Sequence, residues 1–199
     1  MKRPARFVAG GSAGNEQLTA IVACVLLVLL AVEGATLLSL RFLLTVHAFV
    51  GMLLLPVVGL KLASAGWRFL RYYGRAEEYV RRGPPHVVLR TLVAPVVVVS
   101  TLGLFGTGVT LLALDRTSGT IVGLHKASFV VWLGATGVHV LAHVVRLPRL
   151  LAARLPGLAV RIGLVGASVL AGLAIATMTL PSADRLQDRL TANVGLDAR

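Results

Sequence analysis

The chain has 199 residues, of which 56% are hydrophobic and 14% charged, and its formal net charge is +12. Soluble domains carry about 25% charged residues, so this composition excludes a protein whose whole surface faces water and indicates extensive contact with lipid. A nucleic-acid-binding function is disfavoured because no recognition motif accompanies the arginines.

Five apolar segments are long enough to cross a membrane, which takes about 20 residues per helix. In chain order they cover residues 18–40, 42–65, 87–114, 121–145 and 158–180. The first segment is predicted to be a true span rather than a signal sequence, because it is too long and no cleavage site of small residues follows it. The predicted fold is therefore an all-α integral membrane bundle of five transmembrane helices.

The distribution of basic residues predicts the orientation, because short cytoplasmic loops are rich in Lys and Arg. Most of these residues lie in the N-terminal tail, in the loop after the second span and between the fourth and fifth spans. Before the C-terminal tail, the opposite side has only Arg41, Arg116 and Lys126. We expect a cytoplasmic N-terminus, an external C-terminus and attraction of the basic face to anionic lipid.

Four of the five histidines lie in the second and fourth spans, where polar side chains are costly and usually functional. These two spans run in the same direction. His47 and His125 each lie about one turn inside their span and are expected at the same depth, near the outer face. Haem iron takes axial ligands from two sides, and His is a common one. The pair therefore predicts a b-type haem held edge-on between the two helices.

A second ligand position follows from helical spacing. His139 lies 14 residues after His125, which is about four turns and ~21 Å along the same face. The residue 14 positions after His47 is Lys61. Lys61 and His139 are thus a candidate inner pair, and three hypotheses stay open. The inner haem is absent, Lys61 ligates iron as a neutral amine, or His139 holds a five-coordinate haem.

Two further histidines are candidates near the inner face. His143 lies one turn below His139, where it would replace it as ligand, contact a haem propionate or serve in packing. His86 lies in the inner loop and is a further candidate partner for an inner haem.

Other residues are candidates for contacts around a cofactor. Gly51, one turn after His47, would let a flat ring approach closely. Arg68 is predicted to bind propionates of an inner haem or to anchor the helix at the interface, and Lys126 to pair with an outer propionate. Glu33, the only acid deep in a span, is either a structural carboxyl group or a proton-handling group near a quinone.

These positions resemble the cytochrome b superfamily, whose haem-bearing core is a four-helix bundle with two His about 14 positions apart on the second and on the fourth helix. His47, His125 and His139 match that arrangement, and Lys61 stands where the fourth His is expected. Residues 46–74, VHAFVGMLLLPVVGLKLASAGWRFLRYYG, are also similar to small cytochrome b-like bacterial membrane proteins.

The resemblance implies a b-type cytochrome of the bacterial plasma membrane that transfers electrons through one or two haem b groups. It implies an electron-transfer subunit of a membrane oxidoreductase, with membrane lipid, a quinone and a redox protein as partners. The resemblance covers residues 18–146, and the fifth span and the tails lie outside it. The predicted organisation is a cytoplasmic basic tail (1–17), a four-helix haem-binding membrane core (18–146), an inner loop with the fifth transmembrane helix (147–180) and an external C-terminal tail (181–199). A His/Glu-lined membrane transporter and a non-redox scaffold subunit stay open as alternatives.

Overall fold

The computed structural model describes residues 11–81 and 87–197, which are overwhelmingly helical and include no strand. The described residues form seven α-helices. They are α1 (Gly11–Thr36), α2 (Leu40–Tyr73), α3 (Glu77–Val80), α4 (Ala94–Ala113), α5 (Thr120–His143), α6 (Leu147–Ala152) and α7 (Leu158–Asp197). A 3-10 turn at Leu37–Ser39 joins α1 to α2, and a π-helical turn at Leu89–Val93 precedes α4.

Within the described chain, four helical stretches are long and apolar enough to cross a membrane. They cover Gly11–Tyr73, Thr91–Ala113, Thr120–Ala152 and Leu158–Ala192. Large apolar side chains are exposed on the outside of the bundle, as at Met178, which is 81% exposed. An exposed apolar surface of this extent is typical of contact with lipid. The prediction of an all-α protein with membrane-length helices is confirmed, and each of the five predicted spans overlaps one long helix.

The first of these stretches is a helical hairpin, because α2 folds back antiparallel along α1. Near the turn, Oγ1 of Thr36 lies 2.9 Å from Nδ1 of His47. Far from the turn, Nζ of Lys61 donates a hydrogen bond of 2.9 Å to the carbonyl oxygen of Thr19. We call the end of the bundle that holds His47 the outer end, and the opposite end the inner end.

The main hydrophobic core lies between α1, α2 and α7. On α1, Leu18, Val22 and Leu26 follow one another at intervals of four residues, so they share one helix face. The buried residues that they contact are Val50, Leu54 and Val57 of α2 and Val165 of α7. Helix α7 is antiparallel to α2 and approaches it closely at Gly172, where a Cβ atom would clash with the backbone of Leu53.

Helix α7 continues well past the predicted end of the fifth span, through Pro181 to Asp197. Its outer part is fixed to the rest of the bundle. The side-chain oxygen of Gln187 accepts a 2.8 Å hydrogen bond from the backbone N–H of Leu44, next to a kink of α2 at Leu43. Arg189 forms an ion pair of 2.6 Å with Asp115 at the end of α4. The predicted external tail thus begins as a direct extension of α7.

Helices α4 and α5 form a second antiparallel hairpin. Nε1 of Trp132 donates a 3.1 Å hydrogen bond to Oγ1 of Thr101, and the turn uses positive φ angles at Asp115 (53°) and Gly119 (92°). Gly has no Cβ and adopts such angles without strain. Helix α5 packs on α4 and has almost no direct backbone contact with α2, and none of its residues is fully buried.

Candidate functional site

The structure brings His47 of α2 and His125 of α5 together at the outer end of the bundle. Their ring centroids are 6.5 Å apart and their planes are nearly perpendicular, at 89°. Among the described residues, no hydrogen bond joins the two rings. The two imidazoles therefore lie close together, in a T-shaped arrangement, between helices that otherwise hardly touch.

Helix α1 fixes the ring of His47 from behind. Nδ1 of His47 lies 3.1 Å from Oε1 of Glu33 and 2.9 Å from Oγ1 of Thr36. The hydroxyl group of Thr36 donates its own hydrogen to the backbone carbonyl of Glu33, at 2.6 Å, so its oxygen is left to accept. Nδ1 of His47 is thus the protonated donor, and Nε2 is the nitrogen with a free lone pair in a neutral ring.

Helix α4 fixes the ring of His125 in the same way. Nδ1 of His125 lies 3.1 Å from the carbonyl oxygen of Leu104 and 3.0 Å from Oγ1 of Thr107. A carbonyl oxygen only accepts, so Nδ1 carries the proton here too. A metal-binding His typically donates its other N–H to a carboxylate or a carbonyl, which sets the tautomer and the ring orientation. Both rings show this pattern.

Gly108 lies next to the ring of His125, and Gly51 lies next to the Glu33 carboxyl group that contacts His47. A Cβ atom at Gly108 of α4 would lie 3.1 Å from Cε1 of His125, so a side chain there would press on the ring. A Cβ atom at Gly51 would lie 3.5 Å from Oε1 of Glu33. Gly51, predicted to face a flat cofactor, therefore lies next to the carboxyl group of Glu33.

The inner candidates are arranged differently. His139 and His143 stack on each other along α5 with centroids 4.5 Å apart, and Nδ1 of His143 donates to the carbonyl of His139. Nδ1 of His139 is buried without a hydrogen-bond partner among the residues that the structure describes. The amine of Lys61 is bound to the carbonyl of Thr19 on α1. His86 lies outside the described residues.

The two predicted cationic contacts lie at the surface of the bundle. Arg68, whose side chain is 42% exposed, is 3.7 Å from the carboxylate of Glu16 on α1. Lys126 is exposed on α5, next to His125 in sequence, and has no ion pair within the described part of the chain.

The side chains around the ring pair offer two nitrogen ligands to a metal, Nε2 of His47 and Nε2 of His125. No group of three or more His, Cys, Asp or Glu is arranged to hold a metal ion within residues 11–81 and 87–197. Two opposed imidazoles suffice when a macrocycle supplies the remaining ligands. A metal–imidazole bond is about 2 Å long, so rings on either side of one ion have centroids roughly 6 Å apart. The 6.5 Å separation of His47 and His125 fits this requirement.

Sequence reasoning missed the contacts that orient the rings: Glu33 and Thr36 behind His47, and Thr107 and Gly108 at His125. The α1–α2 pair carried a usable signal. Glu33 and His47 stand seven residues on either side of Leu40, so a tight hairpin turn near that residue brings them opposite each other. The contacts of α4 with His125 could not be predicted in this way. The α4–α5 turn is longer, so the sequence does not specify which residues of the two helices lie opposite each other.

The architecture is that of an all-helical protein with several helices long and apolar enough to cross a membrane, consistent with a multi-pass membrane protein. Comparisons with the models of known protein families, with curated proteins and with solved structures found no match.

Proposed function

We propose that this protein is a membrane b-type cytochrome that binds one haem b between His47 of α2 and His125 of α5. The observation that carries the proposal is the ring pair, 6.5 Å apart, with both Nδ1 atoms engaged by hydrogen-bond acceptors. A haem bound there would supply one-electron oxidation and reduction at its iron.

The proposed topology has five transmembrane helices, α1, α2, α4, α5 and α7, in the plasma membrane of a bacterium. The antiparallel hairpins α1–α2 and α4–α5 support alternating directions for these helices. The basic loops support a cytoplasmic inner end, with the N-terminus inside and the C-terminus outside.

The residues of the chain have three tasks in this proposal. His47 and His125 bind the iron through Nε2, and their Nδ1 contacts hold the rings in position. The apolar helices exclude water from the site, and low polarity is one of the factors that set the potential of a haem. The outer part of α7 contributes Ala183 and Leu186, which are buried against Leu112 of α4 and shield this end of the bundle.

We propose one haem rather than two, because the Lys61 amine hydrogen-bonds to Thr19 on α1. A single haem near the outer end exchanges electrons with partners on that side or within the lipid. It does not by itself carry them across the whole membrane.

A quinol and a redox protein remain the proposed electron donor and acceptor. An open groove of about 530 Å³ between α4 and α5 supports a hydrophobic donor such as a quinol. Its lining is mostly apolar, with two serines, Ser100 and Ser128, of which Ser128 lies one turn from His125.

Absorption spectroscopy of the detergent-purified protein tests the proposal. We expect a reduced-minus-oxidised α band of b-type haem and a pyridine haemochrome content of one haem per chain. His47→Ala and His125→Ala should each abolish the band. His143→Ala, on the same helix as His125, is the matched control and should keep it.

Three results would contradict the proposal. Wild-type protein without haem would remove the cytochrome function and leave the transporter and scaffold alternatives. Full haem content in the His47 and His125 variants would move the site elsewhere. Two haems per chain would restore the inner site at His139.

A further inference from the structure

Glu33 is an acidic side chain on the apolar helix α1, close to the turn of the chain's first hairpin. Its side chain is only 16% exposed, and Oε2 is buried without a hydrogen-bond partner among the described residues. Removing a carboxyl group from water is costly unless it is well bonded. Ionisable residues inside membrane helices are therefore usually functional.

The other carboxyl oxygen of Glu33, Oε1, contacts the imidazole ring of His47. Oε1 lies 3.1 Å from Nδ1 of His47. Thr36, one turn later on α1, contacts the same Nδ1 at 2.9 Å and is tied to the backbone of Glu33. Gly51 of α2 lies next to the carboxyl group, since a Cβ atom there would be in ordinary van der Waals contact with Oε1, at 3.5 Å.

We infer that Glu33 is a positioning residue for the His47 ligand, holding its Nδ1–H so that Nε2 faces the iron, and that this contact lowers the reduction potential of the haem. The inference rests on the proposed function. An acceptor at Nδ1–H raises the basicity of a metal-bound imidazole. A more basic ligand favours the oxidised iron, which carries one more positive charge.

The two ligands of the site differ in this respect. His125 donates to the backbone carbonyl of Leu104 and to a hydroxyl oxygen, both neutral groups that many helices supply. Only His47 is held by a carboxyl group. The stronger effect on the potential is therefore expected from α1, a helix that carries no ligand itself.

The test compares Glu33→Gln with Glu16→Gln. Both variants remove one carboxyl group from α1, but Glu16 lies 17 residues earlier, about 25 Å along the helix, beside Arg68. The side-chain amide of Gln can point its NH₂ group at Nδ1 and favour the wrong tautomer. We expect Glu33→Gln to raise the midpoint potential by about 59 mV, which is a tenfold change in the one-electron equilibrium. Glu16→Gln should leave it unchanged.

The measurements keep the two proposals apart. Wild-type protein without haem overturns the proposed function. If Glu33→Gln binds the normal amount of haem and its midpoint potential equals those of the wild type and of Glu16→Gln, only the role of Glu33 is overturned. Where Glu33→Gln fails to fold, Glu33→Asp decides: its shorter side chain draws the oxygen back, so an unchanged potential overturns the inference and an upward shift supports it.

Discussion

Gly172 lies where α7 packs closely on the backbone of α2, and replacing it with alanine tests this packing directly. A Cβ atom at this position would be 3.0 Å from the carbonyl carbon of Leu53 and 3.1 Å from its Cα, and it would be closer still to the carbonyl oxygen. These atoms belong to the backbone, so no rotamer change relieves the clash. The two helices must therefore move apart until this contact reaches an ordinary van der Waals distance.

The magnitude follows from two opposing effects. Overpacking a core costs about 1–3 kcal/mol, whereas alanine improves helix propensity over glycine by up to about 1 kcal/mol. Because the clash is with backbone, we expect a net loss of about 1–2 kcal/mol. For a chain of this size that corresponds to a melting temperature lower by about 2–8 °C.

Thermal unfolding in detergent, followed by circular dichroism, measures the effect. The control is Gly166→Ala on the same helix, an exposed position where a Cβ atom meets nothing within 4 Å. That variant should unfold at the wild-type temperature or slightly above it. Equal melting temperatures for the two variants would refute the close approach of α7 to α2.

Two other substitutions test the outer end of the bundle. Gly108→Ala should displace the ring of His125 by a few tenths of an ångström and shift the α band or lower the haem content, whereas Gly106→Ala, with open space around its Cβ, should do neither. Identical spectra for these two variants would contradict the contact. Gln187→Ala should lower the melting temperature by a few degrees, because it removes the hydrogen bonds to the half-buried N–H of Leu44 and the exposed carbonyl of Arg41, worth about 0.5–1.5 kcal/mol each. Thr191→Ala removes only hydrogen bonds within α7, and an equal loss there would contradict a specific role for Gln187.

The positions of the long helices could be predicted from apolar length alone. The fifth span begins at Leu158 in both the prediction and the structure. Its end could not be predicted, because Asp184, Arg185 and Gln187 make the following segment polar while it stays helical. Apolar residues at Ala183 and Leu186 mark the face that packs on α4, and this short pattern is hidden among charges.

The meeting of His47 and His125 follows from sequence because both residues lie at the same depth on helices that run in the same direction. Depth alone does not specify orientation. The prediction could not tell whether the rings face each other, because that depends on hydrogen bonds from neighbouring helices. The same reasoning paired Lys61 with His139. In the structure, the Lys61 amine donates a hydrogen bond to the carbonyl oxygen of Thr19 on α1.

Each ring of the outer pair is oriented within its own hairpin, His47 by α1 and His125 by α4. The geometry between the rings therefore depends on how the two hairpins dock, and α2 and α5 contribute almost no direct contact to that docking. A cofactor bound to both rings would join the hairpins and stabilise the bundle in proportion to the logarithm of its affinity. At the inner end, Lys61 is bonded within the first hairpin and His139 stacks within α5. Because the described contacts orient a ring from each hairpin only at the outer level, the one-haem proposal follows from the same hydrogen bonds that hold His47 and His125.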